Sequence, residues 1–116
     1  MKVKKPLCQC TVKGSTDYKR IDEMEKFMHI LSDRTRLRIL CLLKDNELNV
    51  KNIYEEIGVK QTLVSHHLTQ MKKLGLLKER KGGTSTFYII RREKFKKYCD
   101  IMKEMISLES KSKKCC

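Results

Sequence analysis

A glycine joining two short amphipathic segments, a polar face on the second of them, and a basic β-hairpin signal close behind predict a mainly α domain with a small β-hairpin. That pattern is a helix-turn-helix followed by a wing. In the first segment, Val50 to Val59, the residues Ile53, Ile57 and Val59 supply the apolar side and Gly58 the turn. In the second, Leu63, Val64, Leu68, Met71 and Leu74 recur at helical spacing, and the other face carries Gln61, Thr62, Ser65, His66 and Gln70. These polar side chains are donors and acceptors short enough to reach base edges in a major groove. The hairpin signal is Gly82-Gly83, set between Leu76–Lys81 and the β-branched and aromatic run Thr84–Ile90. A tight primed turn with both glycines at its centre is expected there, since such a turn needs positive φ. Arg80 and Lys81, with Arg91 or Arg92, are then candidates for phosphate contact. A lone helix with a polar outside, or a lone hairpin, reads as ordinary structure; it is their succession that makes a wing.

The remaining elements follow in chain order. Residues 1–16 have no sustained period and contain Pro6, Gly14 and two cysteines, so they read as an arm. Asp17 to Leu31 places Ile21, Met24, Phe27, Met28 and Leu31 on one stripe of a helix, with His29 on its polar side. Ser32 or Asp33 is suited to cap the next helix, Arg34 to Leu43, because a side-chain oxygen can accept from the exposed first-turn amides. Leu37, Ile39, Leu40, Leu42 and Leu43 make that helix apolar on more than one side, so it belongs at the centre of the core, and Cys41 among them reads as a small core hydrophobe. Lys44 to Leu48 is a polar connection. Gly75, after Leu74, ends the second helix of the motif. From Glu93, Phe95, Tyr98, Cys99, Met102 and Met105 or Ile106 recur at helical spacing, and no later element covers this stripe. The domain reading is therefore an arm over 1–16, a winged helix-turn-helix over 17–92, a dimerisation helix over 93–110 and a Lys/Cys tail over 111–116. With few internal surfaces left, the first and last helices are expected to cover one another across a two-fold axis. Such a homodimer sets two base-reading helices about one DNA turn (~34 Å) apart on a palindromic site.

Charge supports a nucleic-acid partner. The chain of 116 residues has a formal net charge of +13, from 27 Lys and Arg against 14 Asp and Glu. Between Lys60 and Lys97 only Glu79 and Glu93 oppose eleven Lys and Arg, whereas from Asp17 to Asp33 five acids face three bases. A generally lysine-rich surface would not show this asymmetry, and a basic block over the second helix and the hairpin is what a phosphate-binding surface requires. RNA is a competing partner, but single-strand binders stack bases on aromatic platforms, and this chain has seven Phe and Tyr and no Trp. No stretch approaches the roughly 18 apolar residues of a membrane span. The basic start, Met1 to Lys5, leads into Pro6 and cysteines rather than an apolar signal core, so a cytoplasmic protein is expected, with no membrane partner. Six cysteines in that setting point to reduced thiols, metal ligands or a redox switch before a disulfide framework.

Leu31-Ser32-Asp33-Arg34-Thr35-Arg36-Leu37-Arg38-Ile39-Leu40, then Gln61 with Val64-Ser65-His66-His67-Leu68, then Leu74-Gly75-Leu76-Leu77 and the Gly82-Gly83 hairpin ending in Tyr88 resemble the ArsR/SmtB winged-helix repressors. The resemblance covers about Ile21 to Leu108. It is the combination that is specific, not any single piece. It implies a dimeric repressor, not an enzyme, that binds its operator without a cofactor and releases it when a metal or metalloid binds. It places Ser65 and His66 on the DNA-facing side and His67 nearer the interior. The effector sites of that family do not carry over. Where arsenic and cadmium sensors hold a Cys-x-Cys, this chain has Asn49 and Lys51, and 93–110 contains no histidine for a zinc-type site.

What remains for an effector is a pair of thiol clusters, Cys8-Gln9-Cys10 and Cys115-Cys116. Each puts two sulfurs within chelating reach, and soft thiolates suit Zn(II), Cd(II) or As(III). Lys111, Lys113 and Lys114 favour the thiolate form of the terminal pair. If both chain ends meet at the dimer interface, two plus two sulfurs make a tetrathiolate and three of them suit As(III). The opposing readings are inert terminal cysteines, a lipidation signal at the Cys-Cys end, or a thiol redox switch in place of a metal, with Cys99 facing its symmetry mate. A small metal carrier or thiol enzyme built on the same cysteines is the alternative of another class. It lacks a nucleophile and base around a pocket and leaves the basic wing unexplained.

Overall fold

The computed structural model describes residues 16–106. Its elements run α1 (Thr16–Leu31), α2 (Arg34–Leu43), β1 (Leu48–Asn49), α3 (Val50–Ile57), α4 (Gln61–Lys73), β2 (Leu77–Gly82), β3 (Ser85–Ile90) and α5 (Arg92–Met105). The class is the expected one, mainly α with a β wing in a winged helix-turn-helix. Two compact units are distinguished, one spanning residues 29–95 and the other containing α1 up to Met28 and α5 from Lys96.

The 29–95 unit closes around its own core. Ile39 and Leu43 of α2, Ile53 and Ile57 of α3, Val64, Leu68 and Met71 of α4, and Leu76 and Leu77 at the start of the wing are all buried. The wing has three strands in the order β1-β3-β2. β2 and β3 pair antiparallel from Leu77↔Ile90 to Gly82↔Ser85, and the two-residue β1 adds Leu48↔Tyr88 and Asn49↔Phe87 on the other edge of β3. The Lys44–Leu48 segment expected as a plain connection therefore ends in a strand. Two residues are too few to show a period, and this strand exists because β3 offers it a ladder.

Three further expectations are corrected. The turn is not centred on both glycines. Gly82 still pairs with Ser85, which leaves Gly83 and Thr84 as the loop, and Gly83 takes the left-handed φ of 64°. Gly82 is required for space instead, since a Cβ there would lie 2.9 Å from Cε2 of Phe87. Cys41 is exposed rather than in the core. α2 turns Ile39 and Leu43 inward, and at about 100° per residue position 41 faces the opposite way, with Leu37 at 47% exposure a turn before it. Leu63, expected on the buried stripe of α4, is 42% exposed. It lies in the first turn, at the edge of the buried arc formed by Val64, His67, Leu68 and Met71.

In the other unit Met24, Phe27, Tyr98 and Ile101 are buried. The Phe27 and Tyr98 rings stack with centroids 4.1 Å apart and planes 14° from parallel. Burial, and behind it the Glu23 carboxylate, pushes the Tyr98 hydroxyl above its usual pKa. Arg20 pairs with Glu104 at 2.8 Å and Lys97 with Glu23 at 3.9 Å, both with half-exposed side chains. Cys99, placed on the apolar stripe by spacing, is exposed, as are Met28 and Ile106.

Candidate nucleic-acid interface

The geometry of the helix-turn-helix is set by its caps. The Asn49 side chain accepts from the backbone N–H of Asn52 at 2.8 Å and starts α3. α3 ends where Gly58 adopts a left-handed φ of 80° and its N–H donates to the Tyr54 carbonyl. Arg38 of α2 donates to the Ile57 carbonyl at 3.1 Å, satisfying one of the acceptors left over at that end. α4 then starts at Gln61. The side chain of Lys60, the residue before it, makes no capping bond, and its carbonyl accepts from Leu63 and Val64 at 3.1 Å.

One face of α4 is closed by Val64, His67, Leu68 and Met71. Of the side chains expected to read bases, Gln61, Thr62 and His66 are exposed and Ser65 and Gln70 half-buried. Thr62, Ser65 and Thr69 follow at +3 and +7, and Leu63, His66 and Gln70 do the same one residue on, so two parallel rows face outward. Thr69, exposed and bonded through its hydroxyl to the Ser65 carbonyl at 2.9 Å, was not among the expected residues, nor was the exposed Lys73. Continuing the row of Thr62 and Ser65 in steps of four would have found both.

His67 belongs to a different role. It is 6% exposed, and its Nδ1 accepts from Nε of Arg36 at 2.9 Å, which places its own proton on Nε2, 3.9 Å from Asp33 Oδ1. Arg36 also donates to the Ile30 carbonyl at 3.2 Å, and Asp33 caps α2 by accepting from Arg36 N at 3.1 Å. One guanidinium thus joins the chain before α2 to the inner face of α4. Burial, and then the Arg36 and His66 charges, hold the His67 pKa below the usual histidine value against the pull of Asp33. The amide bond from Arg36 is the main cause that holds the Asp33 carboxyl below its ordinary value.

On the wing, Arg80 is not a free cation. Its guanidinium donates to Glu47, at 2.7 Å from Nε, and lies 4.7 Å over the Phe87 ring, its partner across the strands. Lys81 is exposed at the next position. Arg91 pairs with Glu93 at 3.3 Å and Arg92 donates to the Lys44 carbonyl. Glu79 is paired with Lys72. Both acids of the basic block are therefore engaged in ion pairs, while Lys60, Lys73, Lys78 and Lys81 stay exposed.

The cysteines expected to bind an effector, Cys8, Cys10, Cys115 and Cys116, lie outside the described residues. Among the described residues no group of three or more His, Cys, Asp and Glu converges as metal ligands, and Cys41 and Cys99 are free thiols. No described helix is long and apolar enough to cross a membrane.

Residues 33–79 match the model of the arsR family of bacterial regulatory proteins. An HTH-type transcriptional regulator of Methanocaldococcus jannaschii is 34% identical over 87 residues, which span 74% of this chain and 98% of the relative. The transcriptional activator HlyU of Vibrio cholerae is 32% identical over 77 residues, 60% of this chain and 71% of the relative. The cadmium resistance regulatory protein CadC of Listeria innocua is 39% identical over 66 residues, 56% of each chain. Among solved structures, an ArsR-like regulator from Rhodococcus superposes with a TM-score of 0.69 at 22% identity, covering 78% of this chain and 84% of the other. A homodimeric winged helix-turn-helix DNA-binding domain from Mycobacterium bovis does so at 0.65 and 24%, covering 85% and 92%.

Proposed function

Since this chain belongs to the ArsR family of winged-helix DNA-binding transcriptional regulators, a family of regulators and not of enzymes, we propose that it is a homodimeric repressor of a palindromic operator. The observation that carries this reading is the division of α4 into a closed inner face and an outer face of Gln61, Thr62, Ser65, His66 and Gln70. Set in a major groove, the outer face reads bases, while Lys81, Arg80 and the exposed lysines around them meet phosphates. The amides of Gln61 and Thr62, at a helix start that no side chain caps, would meet a phosphate oxygen as well. Each subunit of the dimer presents one such helix, and the partly exposed apolar faces of α1 and α5 supply the contact between subunits.

Release from DNA is assigned to a thiophilic ion, As(III), Cd(II) or Zn(II), held by Cys8, Cys10, Cys115 and Cys116. Support comes from the pairing of these thiols in the sequence and from the likeness to a cadmium resistance regulator. An ion lowers DNA affinity only by binding the DNA-free conformation more tightly, and a coupling of ~1–3 kcal/mol gives a 5- to 150-fold change. A thiol redox switch is the second reading, favoured by the exposure of both Cys41 and Cys99. The two separate in one titration of the operator complex with As(III), Cd(II), Zn(II) and a thiol oxidant. Loss of ion-induced release on changing the four end cysteines to Ser, with DNA binding kept, supports the metal reading. Release by oxidant alone, abolished by Cys41→Ser or Cys99→Ser, replaces it with the redox one. Indifference of duplex binding to sequence would overturn the operator reading altogether.

A further inference from the structure

We propose that Leu63 reads the C5-methyl group of a thymine in the operator, an inference that rests on α4 being the base-reading helix. Leu63 is 42% exposed, while its neighbours Val64, Leu68 and Met71 on the same helix are fully buried. More than half of Leu63 is covered at the edge of the core, but the part left in water contributes nothing to the fold, and it is this outward part that is free to meet a base. Leu63 is also the one large aliphatic side chain exposed on α4, at the rim of the outer face in the row of His66 and Gln70. The polar neighbours match the hydrogen-bonding atoms that all base pairs show in the major groove. Only thymine also shows an aliphatic group there, its methyl.

Position supports the assignment. Leu63 lies in the first turn of α4, the end of a recognition helix that meets base edges. It shares its row with His66 and Gln70. Three residues advance a helix by about 4.5 Å, close to the ~3.4 Å rise of one base step. The thymine read by Leu63 is therefore expected within about one step of the base read by His66. Covering one methyl in a dry contact changes affinity by about fourfold, and the symmetry of a dimer makes that about sixteenfold for both half-sites together.

The test uses the full-length protein and a duplex obtained from it by selection out of a random pool. Each thymine of the site is replaced in turn by uracil, which removes only the methyl, and binding is followed by fluorescence anisotropy for wild type, Leu63→Ala and Leu63→Gln. Expected is one thymine per half-site whose replacement weakens wild type about fourfold and leaves both variants unaffected, with the variants still folded by circular dichroism at the assay temperature. The inference is overturned if no uracil replacement weakens wild type. It is overturned equally if the variants remain as sensitive as wild type, which would give the methyl to Thr62, or if they bind every sequence more weakly by the same factor. Ser65→Ala and His66→Ala separate the two levels. If neither alters the selected sequence, α4 is not the reader; if they alter it while Leu63 variants do not, only the Leu63 inference fails.

Discussion

The two units of the molecule are built to different degrees of closure. In the 29–95 unit every helix contributes aliphatic side chains that no water reaches, and Ile39, Ile53, Val64, Leu68 and Met71 are 0% exposed. In the α1–α5 pair the buried set is Met24, Phe27, Tyr98 and Ile101, none of them fully closed, and Met28 and Ile106 remain 46% and 56% exposed. The first unit closes its core with its own side chains, which would hold the proposed DNA-reading face of α4 steady. Both units also leave apolar side chains in water, Leu37 at 47% and Leu63 at 42% in the first and Met28 at 46% and Ile106 at 56% in the second, and those of the second are the ones a proposed two-fold partner would cover. The difference lies in the two cores: that of the 29–95 unit is closed to water within one chain, whereas that of the α1–α5 pair, proposed above as the dimer contact, is not fully closed.

The strongest challenge to this contrast is in the closed core. Leu68→Ala should lower unfolding stability by ~2–5 kcal/mol, measured by urea denaturation, because Leu68 is 0% exposed and the cavity it leaves has no water-facing side. A cost below ~1 kcal/mol would mean that the module is looser than its burial implies. Next in size is the open unit. Met102→Lys should weaken dimerisation about a hundredfold, ~2.7 kcal/mol, seen by sedimentation as a shift to monomer, since a lysine there must lose water on association. A wild-type chain that sediments as a stable folded monomer would end the dimer reading.

A smaller effect should come from the link inside the recognition module. Arg36→Met removes the donor to His67 Nδ1 and should cost ~1–2 kcal/mol, with a larger fractional loss of operator affinity than of non-specific affinity. The same link predicts a pH dependence. His67 is held below its ordinary pKa of 6.5, so the folded state binds this proton less readily than the unfolded chain. Stability is then full above pH 6.5 and falls as the pH drops from there toward the lowered value. His67→Gln should flatten that part of the curve. Asp33, lowered from 3.8, loses its contribution only as the pH falls below that value. The smallest change is expected on the wing. Lys81→Ala should reduce the salt slope of DNA binding by about one phosphate's worth, ~0.9. Arg80→Ala should reduce it less, because Glu47 already offsets that charge. Equal slopes for the two variants would show that the Arg80–Glu47 pair opens on DNA.

Much of this was legible before any coordinates. The helix limits around Arg34–Leu43 and Gln61–Lys73, the turn at Gly58 and the wing follow from local signals: apolar spacing, a capping Asp33, a glycine where φ is positive. What was not legible depends on partners far along the chain. Arg36 and His67 are 31 residues apart and Arg80 and Glu47 are 33, and neither pairing has a local mark. β1 needs β3 to exist. α2 is apolar nearly all round, so periodicity alone had no means of choosing which face to bury, and Cys41 was assigned to the wrong one. On α4 the expected polar side chains are exposed or half-buried, whereas Leu63, set on the buried stripe by its spacing, lies at the edge of that stripe.

The two glycines at the tip of the wing look interchangeable in the sequence and are not. Gly83 is there for its dihedral angle, with nothing within 4 Å of where a Cβ would stand. Asn and Asp tolerate that angle and would fit. Gly82 has an unexceptional angle but no room, being pressed against Phe87, the ring under the Arg80 guanidinium. In a saturation library the two sites should therefore drift apart: position 83 filling with Asn and Asp, position 82 staying glycine for want of the volume of one methyl group, and with it the seat of the Arg80 cation that pairs with Glu47.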